Sequence, residues 1–151
     1  MKILVTGGLG FIGSNFILNT LNSNPDVEII NIDAEFYGSN HKSLISLEKS
    51  KKYHFVKGNI TNYNLMDDLI SKSECIVNFA AESFVDRSIA NAAPFLDSNI
   101  NGVFTILEII KKHKKRFLQV STDEVFGSLQ EGTAVENSVF NPSSPYAATK
   151  A

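Results

Sequence analysis

Two groups of residues in this chain have the types and spacing for proton transfer. Residues 121 to 127 read Ser-Thr-Asp-Glu-Val-Phe-Gly, and Tyr146 and Lys150 stand four positions apart, about one helical turn. Side chains at i and i+4 share a helix face. An ammonium beside a phenol stabilises the phenolate, so such a pair makes a base that works near neutral pH. It can take the proton of an alcohol while hydride leaves for a nicotinamide. Asp123 and Glu124 could divide acid and base work if their surroundings differ. By residue type alone they would read as a solvated strand end. Their place after an apolar strand argues otherwise, because ligands in open α/β sheets bind beyond the carboxyl ends of the strands.

A third group stands near the start. Gly7-Gly8-Leu9-Gly10-Phe11-Ile12-Gly13 separates an apolar strand from a helical pattern. Glycines at 7, 10 and 13 permit a tight turn, a close approach to a pyrophosphate and tight helix–strand packing, while the helix N-terminus offers N–H donors to the anion. Asp33 follows Gly13 by 20 residues, where an acid would bind the adenosine ribose hydroxyls. A carboxylate there repels a 2′-phosphate, and neither Ala34 nor Glu35 beside it offers a cation. The expected cofactor is therefore NAD rather than NADP.

The elements that must position these groups alternate strand and helix. The pattern predicts strands at Lys2 to Thr6, Val27 to Ile32, Tyr53 to Val56, Cys75 to Phe79 and Phe117 to Val120. Phe11 to Leu21 has helical spacing of Phe11, Ile12, Phe16, Ile17 and Leu21. Thr61 is the expected cap of a helix running to about Ser71. Pro94 should open a long helix through about Lys112, with Phe95, Ile100, Val103, Phe104, Leu107 and Ile110 on its apolar side. Residues 128 to 143 read as a loop, and Ser144-Pro145 starts a last helix. Alternating elements with nearly continuous apolar strands predict an α/β fold, a Rossmann-like doubly wound parallel sheet covered on both faces.

The bulk properties set limits. At 151 residues the chain is one domain by length, and 43% hydrophobic with 20% charged residues describes a globular chain. A net charge of −2 gives no reason to expect nucleic acid. The basic run Lys111 to Arg116 reads as a solvated helix end complementing the macrodipole. The lone Cys75 excludes an internal disulfide and reads as a small core residue. Three scattered histidines lack metal-ligand spacing, so no metal is expected. With no signal peptide and no membrane-length apolar stretch, a cytoplasmic location is expected.

Four segments together resemble the extended short-chain dehydrogenase/reductase family, and within it the nucleotide-sugar 4,6-dehydratases. They are Thr6 to Ser14, Ala80-Ala81-Glu82-Ser83-Phe84-Val85-Asp86-Arg87-Ser88, Ser121 to Gly127 and Ser144-Pro145-Tyr146-Ala147-Ala148-Thr149-Lys150-Ala151. The resemblance runs the length of the chain, and the Thr-Asp-Glu step is its most specific part. It implies that Tyr146, tuned by Lys150, deprotonates a glucose 4-hydroxyl as NAD takes hydride from C4. Glu124 would then remove the C5 proton, Asp123 would protonate the departing C6 hydroxyl, and hydride would return to C6. Thr122 would bond the 4-oxygen, and Ser83 would also touch the substrate. The implied cofactor contacts are Gly7, Gly10, Phe11, Ile12, Gly13, Asp33, Ser39, Asn59, Ile60, Phe79, Ala80, Ala81, Ser98, Ser121, Tyr146 and Lys150. Asn99 resembles the asparagine that interrupts the long helix of this superfamily.

The sequence also departs from the pattern. Asn59 replaces an aspartate expected to contact adenine, Phe84 a histidine near the substrate and Phe126 a tyrosine. The family's chains continue into a substrate domain, so this sequence is expected to be an incomplete NAD-binding domain, residues 1–151. The open edge of the fifth strand then predicts homo-oligomers formed through exposed apolar surface. The implied substrate is a nucleotide sugar, dTDP-glucose. Another nucleotide-sugar enzyme of the family, such as a 4-epimerase, and a non-catalytic NAD-binding fragment remain as alternatives.

Overall fold

The computed structural model describes residues 1–151. Five parallel strands form one sheet in the order β3-β2-β1-β4-β5: β1 Lys2–Thr6, β2 Glu28–Asp33, β3 Tyr53–Lys57, β4 Cys75–Asn78 and β5 Arg116–Gln119. Six α-helices accompany them: α1 Phe11–Ser23, α2 Tyr63–Ser71, α3 Val85–Ala90, the short α4 Ala93–Phe95, α5 Val103–His113 and α6 Pro145–Lys150. Short 3-10 segments cover His41–Leu47 and Asp123–Phe126, and a π-helical turn, Leu96–Gly102, joins α4 to α5.

The period of two along β1 explains the double winding. Leu4 packs on one face with Ile30, Ile32 and Ile76, against Met66, Leu69 and Ile70 of α2 and Ile106 and Ile109 of α5. Ile3 and Val5 turn to the other face with Ile29 and Val77, against Ile17 of α1 and Leu44 of the 3-10 segment. Each fully buried Leu or Ile contributes about 2 kcal/mol, so both faces are strongly specified. The strand sequence runs outward from β1 in both directions, through β2 on one side and β4 on the other. The resulting crevice at the carboxyl ends of β1 and β4 is a topological switch point.

The expected fold class is observed, with strand ends shifted by a residue. Several details differ. The cap of α2 is Asn62, whose Oδ1 accepts from Leu65 N at 3.2 Å, while Thr61 gives its N–H to Asn59 Oδ1. The long helix does not keep one apolar side. Its π-helical turn holds an extra residue and rotates everything after it. Ile106 and Ile109 therefore face the sheet, while Phe104 is 64% exposed and Ile100 and Leu107 are also exposed. In α1, Phe11 and Ile12 lie outside the core, Phe11 at 85% exposure.

The basic run is more than a solvated helix end. Lys112 and His113 both pair with Asp67 of α2, and Lys114 takes the left-handed conformation that ends α5. The hydrogen bonds from Lys112 and His113 hold the Asp67 carboxyl below the usual range. Cys75 is half-buried at the start of β4 rather than fully in the core, and burial pushes its thiol up. No helix is long and apolar enough to cross a membrane.

Candidate functional site

A cavity of about 370 Å³ opens at the switch point. Its floor is the turn from β1 to α1. Gly7 has φ +68, and a Cβ there would stand 2.5 Å from Ala80 N, so the turn lies directly against the chain leaving β4. A Cβ on Gly13 would stand 2.5 Å from Gly7 O. Only glycine allows both approaches. Gly10, the N-cap of α1, supplies no side-chain cap. The first-turn N–H groups therefore keep their donor capacity and the positive end of the helix dipole for an anion in the cavity.

Asp33 ends β2 and is 7% exposed. Its Oδ2 accepts from Leu9 N at 3.0 Å, and its Oδ1 accepts from Glu35 N and Ser39 Oγ, both at 2.8 Å. The acid thus ties the glycine turn to the loop after β2, and it still lines the cavity. Asn31 braces the same turn from the sheet: its Oδ1 accepts from Gly8 N and its Nδ2 donates to Tyr53 Oη.

The π-helical turn positions the opposite wall. Asn99, buried, accepts from Glu82 N and donates to Glu82 O, both at 2.9 Å. It also donates to Thr149 Oγ1, which in turn donates to Tyr146 O. One amide therefore locks the loop after β4 to α6. Widening the helix brings Asn99 to that junction and places Ser98 in the cavity wall.

α6 begins with Ser144, whose Oγ accepts from Ala147 N, and with Pro145 in its first turn. Tyr146 is 9% exposed, donates its N–H to Ser88 Oγ and sets its ring edge-on to Phe95. Lys150 Nζ donates to Val120 O at 2.7 Å, the strand-end carbonyl beside Ser121. Burial holds the Lys150 ammonium below its usual range. Tyr146 and Lys150 both line the cavity, so the expected pair forms one wall.

Every residue expected to touch a cofactor lines this cavity: Gly7, Gly10, Phe11, Ile12, Gly13, Asp33, Ser39, Asn59, Ile60, Phe79, Ala80, Ala81, Ser98, Ser121, Tyr146 and Lys150, with Ser83 at its rim. Thr122, Asp123 and Glu124 do not line it. They form the start of the 3-10 turn beyond β5, which packs against α6. Thr122 Oγ1 accepts from Glu124 N and donates to Asp123 Oδ1 at 3.2 Å; Asp123 is exposed and Glu124 half-buried. The acids thus stand at the end of the strand next to the cavity.

Several contributors carried no sequence signal. Tyr37 lines the cavity, carries Arg87 over its ring at 4.4 Å and meets edge to face Phe84, the position where the resemblance expects a histidine. Asn31 acts from inside a strand. Nothing in the residue types links these positions, because the partners lie far apart in the chain.

A glycine turn at the switch point, an acid closing the second strand and a Tyr/Lys pair on the wall define a Rossmann-type dinucleotide-binding domain of the short-chain dehydrogenase kind. Residues 4–151 match the family described as GDP-mannose 4,6 dehydratase, and the chain belongs to that family. It is 43% identical over 154 residues to the dTDP-glucose 4,6-dehydratase of Mycobacterium tuberculosis, covering all of this chain and 46% of that protein. The dTDP-glucose 4,6-dehydratase of Streptomyces venezuelae, solved with NAD bound, superposes with a TM-score of 0.95 at 42% identity, over 99% of this chain and 48% of that one. The Bacillus anthracis enzyme, also in complex with NAD, gives 0.90 at 44% identity over 99% and 47%. The chain spans about half the length of the curated relatives it matches.

Proposed function

We propose that this chain carries the cofactor-binding and acid–base part of a nucleotide-sugar dehydratase that converts dTDP-glucose to its 4-keto-6-deoxy product. The observation that carries the reading is the junction of a dinucleotide cavity with the Asp123–Glu124 turn through Tyr146, Lys150 and Ser121. NAD fits the cavity by its glycine cradle, by the uncapped start of α1 for a pyrophosphate and by Asp33 at the adenosine end. When bound, NAD supplies the acceptor and later the donor of a hydride.

The chain's own groups do the rest. Tyr146 takes the proton of the sugar 4-hydroxyl, and Lys150, held on the Val120 carbonyl, presents its ammonium to the same wall. The 4-keto group acidifies the C5–H bond, and Glu124 removes that proton. Asp123, exposed and bonded only to Thr122, protonates the departing C6 hydroxyl as water. Thr122 bonds the 4-oxygen and Ser83 approaches the sugar from the cavity rim.

A cytoplasmic setting accords with a nucleotide-sugar substrate. Homo-oligomers accord with the open edge at β5, where Leu118 is 54% exposed, and with the outward Leu96, Ile100, Phe104 and Leu107. The reading is tested by Glu124→Gln. Removing a group needed only for the C5 proton lowers turnover by at least about 100-fold while NAD affinity is kept. An unchanged rate, or a product epimeric at C4 that retains its water, points instead to an epimerase-type enzyme of the same scaffold.

A further inference from the structure

Beside the Asp33 end of the cavity, just outside its lining, stands a charge cluster that the dehydratase chemistry does not use. Asp33 and Lys57 are register partners at the ends of β2 and β3. Both strands run out into the cavity wall, at Ala34 and Phe36 on one side and Gly58 on the other. Between Ala34 and Phe36 stands Glu35, with φ +58, a left-handed conformation uncommon for a residue with a side chain. Its N–H is anchored on Asp33 Oδ1. In this posture one carboxylate oxygen meets Lys57 Nζ and the other meets His41 Nε2. His41 is further held edge-on to Phe55. The hydrogen bonds from Lys57 and His41 keep the Glu35 carboxyl below its usual range. Arg87, outside the lining, is itself stacked over the lining residue Tyr37.

We infer that Glu35 is a selectivity residue, which occupies Lys57 and His41 and so leaves a 2′-phosphorylated dinucleotide without a free cation at the ribose. The inference rests on the dinucleotide reading above. A 2′-phosphate is accommodated where a cation stands ready near the acid of the second strand. Here the cavity wall offers Asp33, and the nearby Lys57 and His41 are both engaged by a second carboxylate, Glu35. Exclusion of the phosphate therefore depends on Glu35 as well as on Asp33. Removing the Glu35 charge releases Lys57 at pH 7, and His41 also when it is protonated. A purely structural latch for the loop after β2 would behave differently, because its loss would weaken both dinucleotides together.

Calorimetric titration of NAD and NADP into the purified chain separates these cases. Glu35→Gln is expected to raise the ratio of NADP to NAD affinity about tenfold, the scale of exposed charge interactions gained and a repulsion removed. Lys57→Met alone uncovers Glu35 and should lower the same ratio by about fivefold. In the double variant the gain from Glu35→Gln disappears. If Glu35→Gln did not yield folded protein, the Lys57→Met result would decide alone. Equal weakening of both dinucleotides, or no change in the ratio for either variant, overturns the inference while leaving the NAD site intact. A wild-type chain that binds neither dinucleotide overturns the cofactor reading, and this inference falls with it.

Discussion

Lys150 shows how one residue can be legible as a type and still be misjudged in its contacts. Its spacing from Tyr146 announces a phenol–ammonium pair, yet its Nζ bonds the Val120 carbonyl across the start of the Ser121 turn. That contact fixes the wall where β5 meets α6. Burial disfavours the charged form, so the folded-state pKa lies below the unfolded value. The sign follows: below the folded pKa both states are charged and the full cost of burying the ammonium stands. As pH rises from there toward the unfolded value, about 10.4, the unfolded chain binds more protons and this cost fades. Lys150→Met should therefore gain most over the wild type at neutral pH, and the gap should narrow as pH climbs through that window. Urea denaturation at several pH values checks it, and a gap that widens with pH would contradict the assigned cause. The glycines, Asp33 and Tyr146 were legible because their roles are set by residue type and short spacing. Asn31 and Glu35 were not, because their partners lie on other elements, Tyr53 for the one and Lys57 for the other; Asn99 stood out by resemblance, while its bonds to Glu82 and Thr149 did not.

At the scale of elements, the strands could be read from apolar runs, while the helices held surprises at their ends and in their period. The start of α2 offers two adjacent polar residues, and type alone favours threonine and asparagine almost equally as caps. The structure selects Asn62, one position later, because Thr61 is already held by Asn59. Asn62→Ala should cost about 1 kcal/mol of stability, and Thr61→Ala no more than about 0.5 kcal/mol, both measured by chemical denaturation. A larger loss at Thr61 would contradict the cap assignment. The long helix misleads for another reason. Assigning an apolar side assumes a constant 3.6-residue period, and the π-helical turn breaks it. The break follows from Asn99, a polar residue that cannot be buried without partners and finds them on Glu82 and Thr149. The same turn delivers Ser98 to the cavity and leaves Phe104 and Leu107 facing outward.

Across the whole molecule, the two sheet faces are sealed by separate cores, but β5 stands at the sheet edge with Leu118 54% exposed. Unpaired edges and outward apolar residues favour association. Multi-angle light scattering should find a species larger than 16.6 kDa, and Leu118→Lys should shift it toward monomer; a wild-type monomer at all concentrations would contradict this. Membership of the 4,6-dehydratase family and the dinucleotide cavity both bear on chemistry at one place, the junction of that cavity with the acid turn. The most direct test follows the hydrogen at sugar C4. The purified chain, NAD and dTDP-glucose deuterated at C4 should give a 4-keto-6-deoxy product that carries the deuterium at C6. Deuterium retained at C4 would mean epimerisation, and no product from a chain that binds NAD would mean a cofactor-binding module without this chemistry; either result would contradict the account.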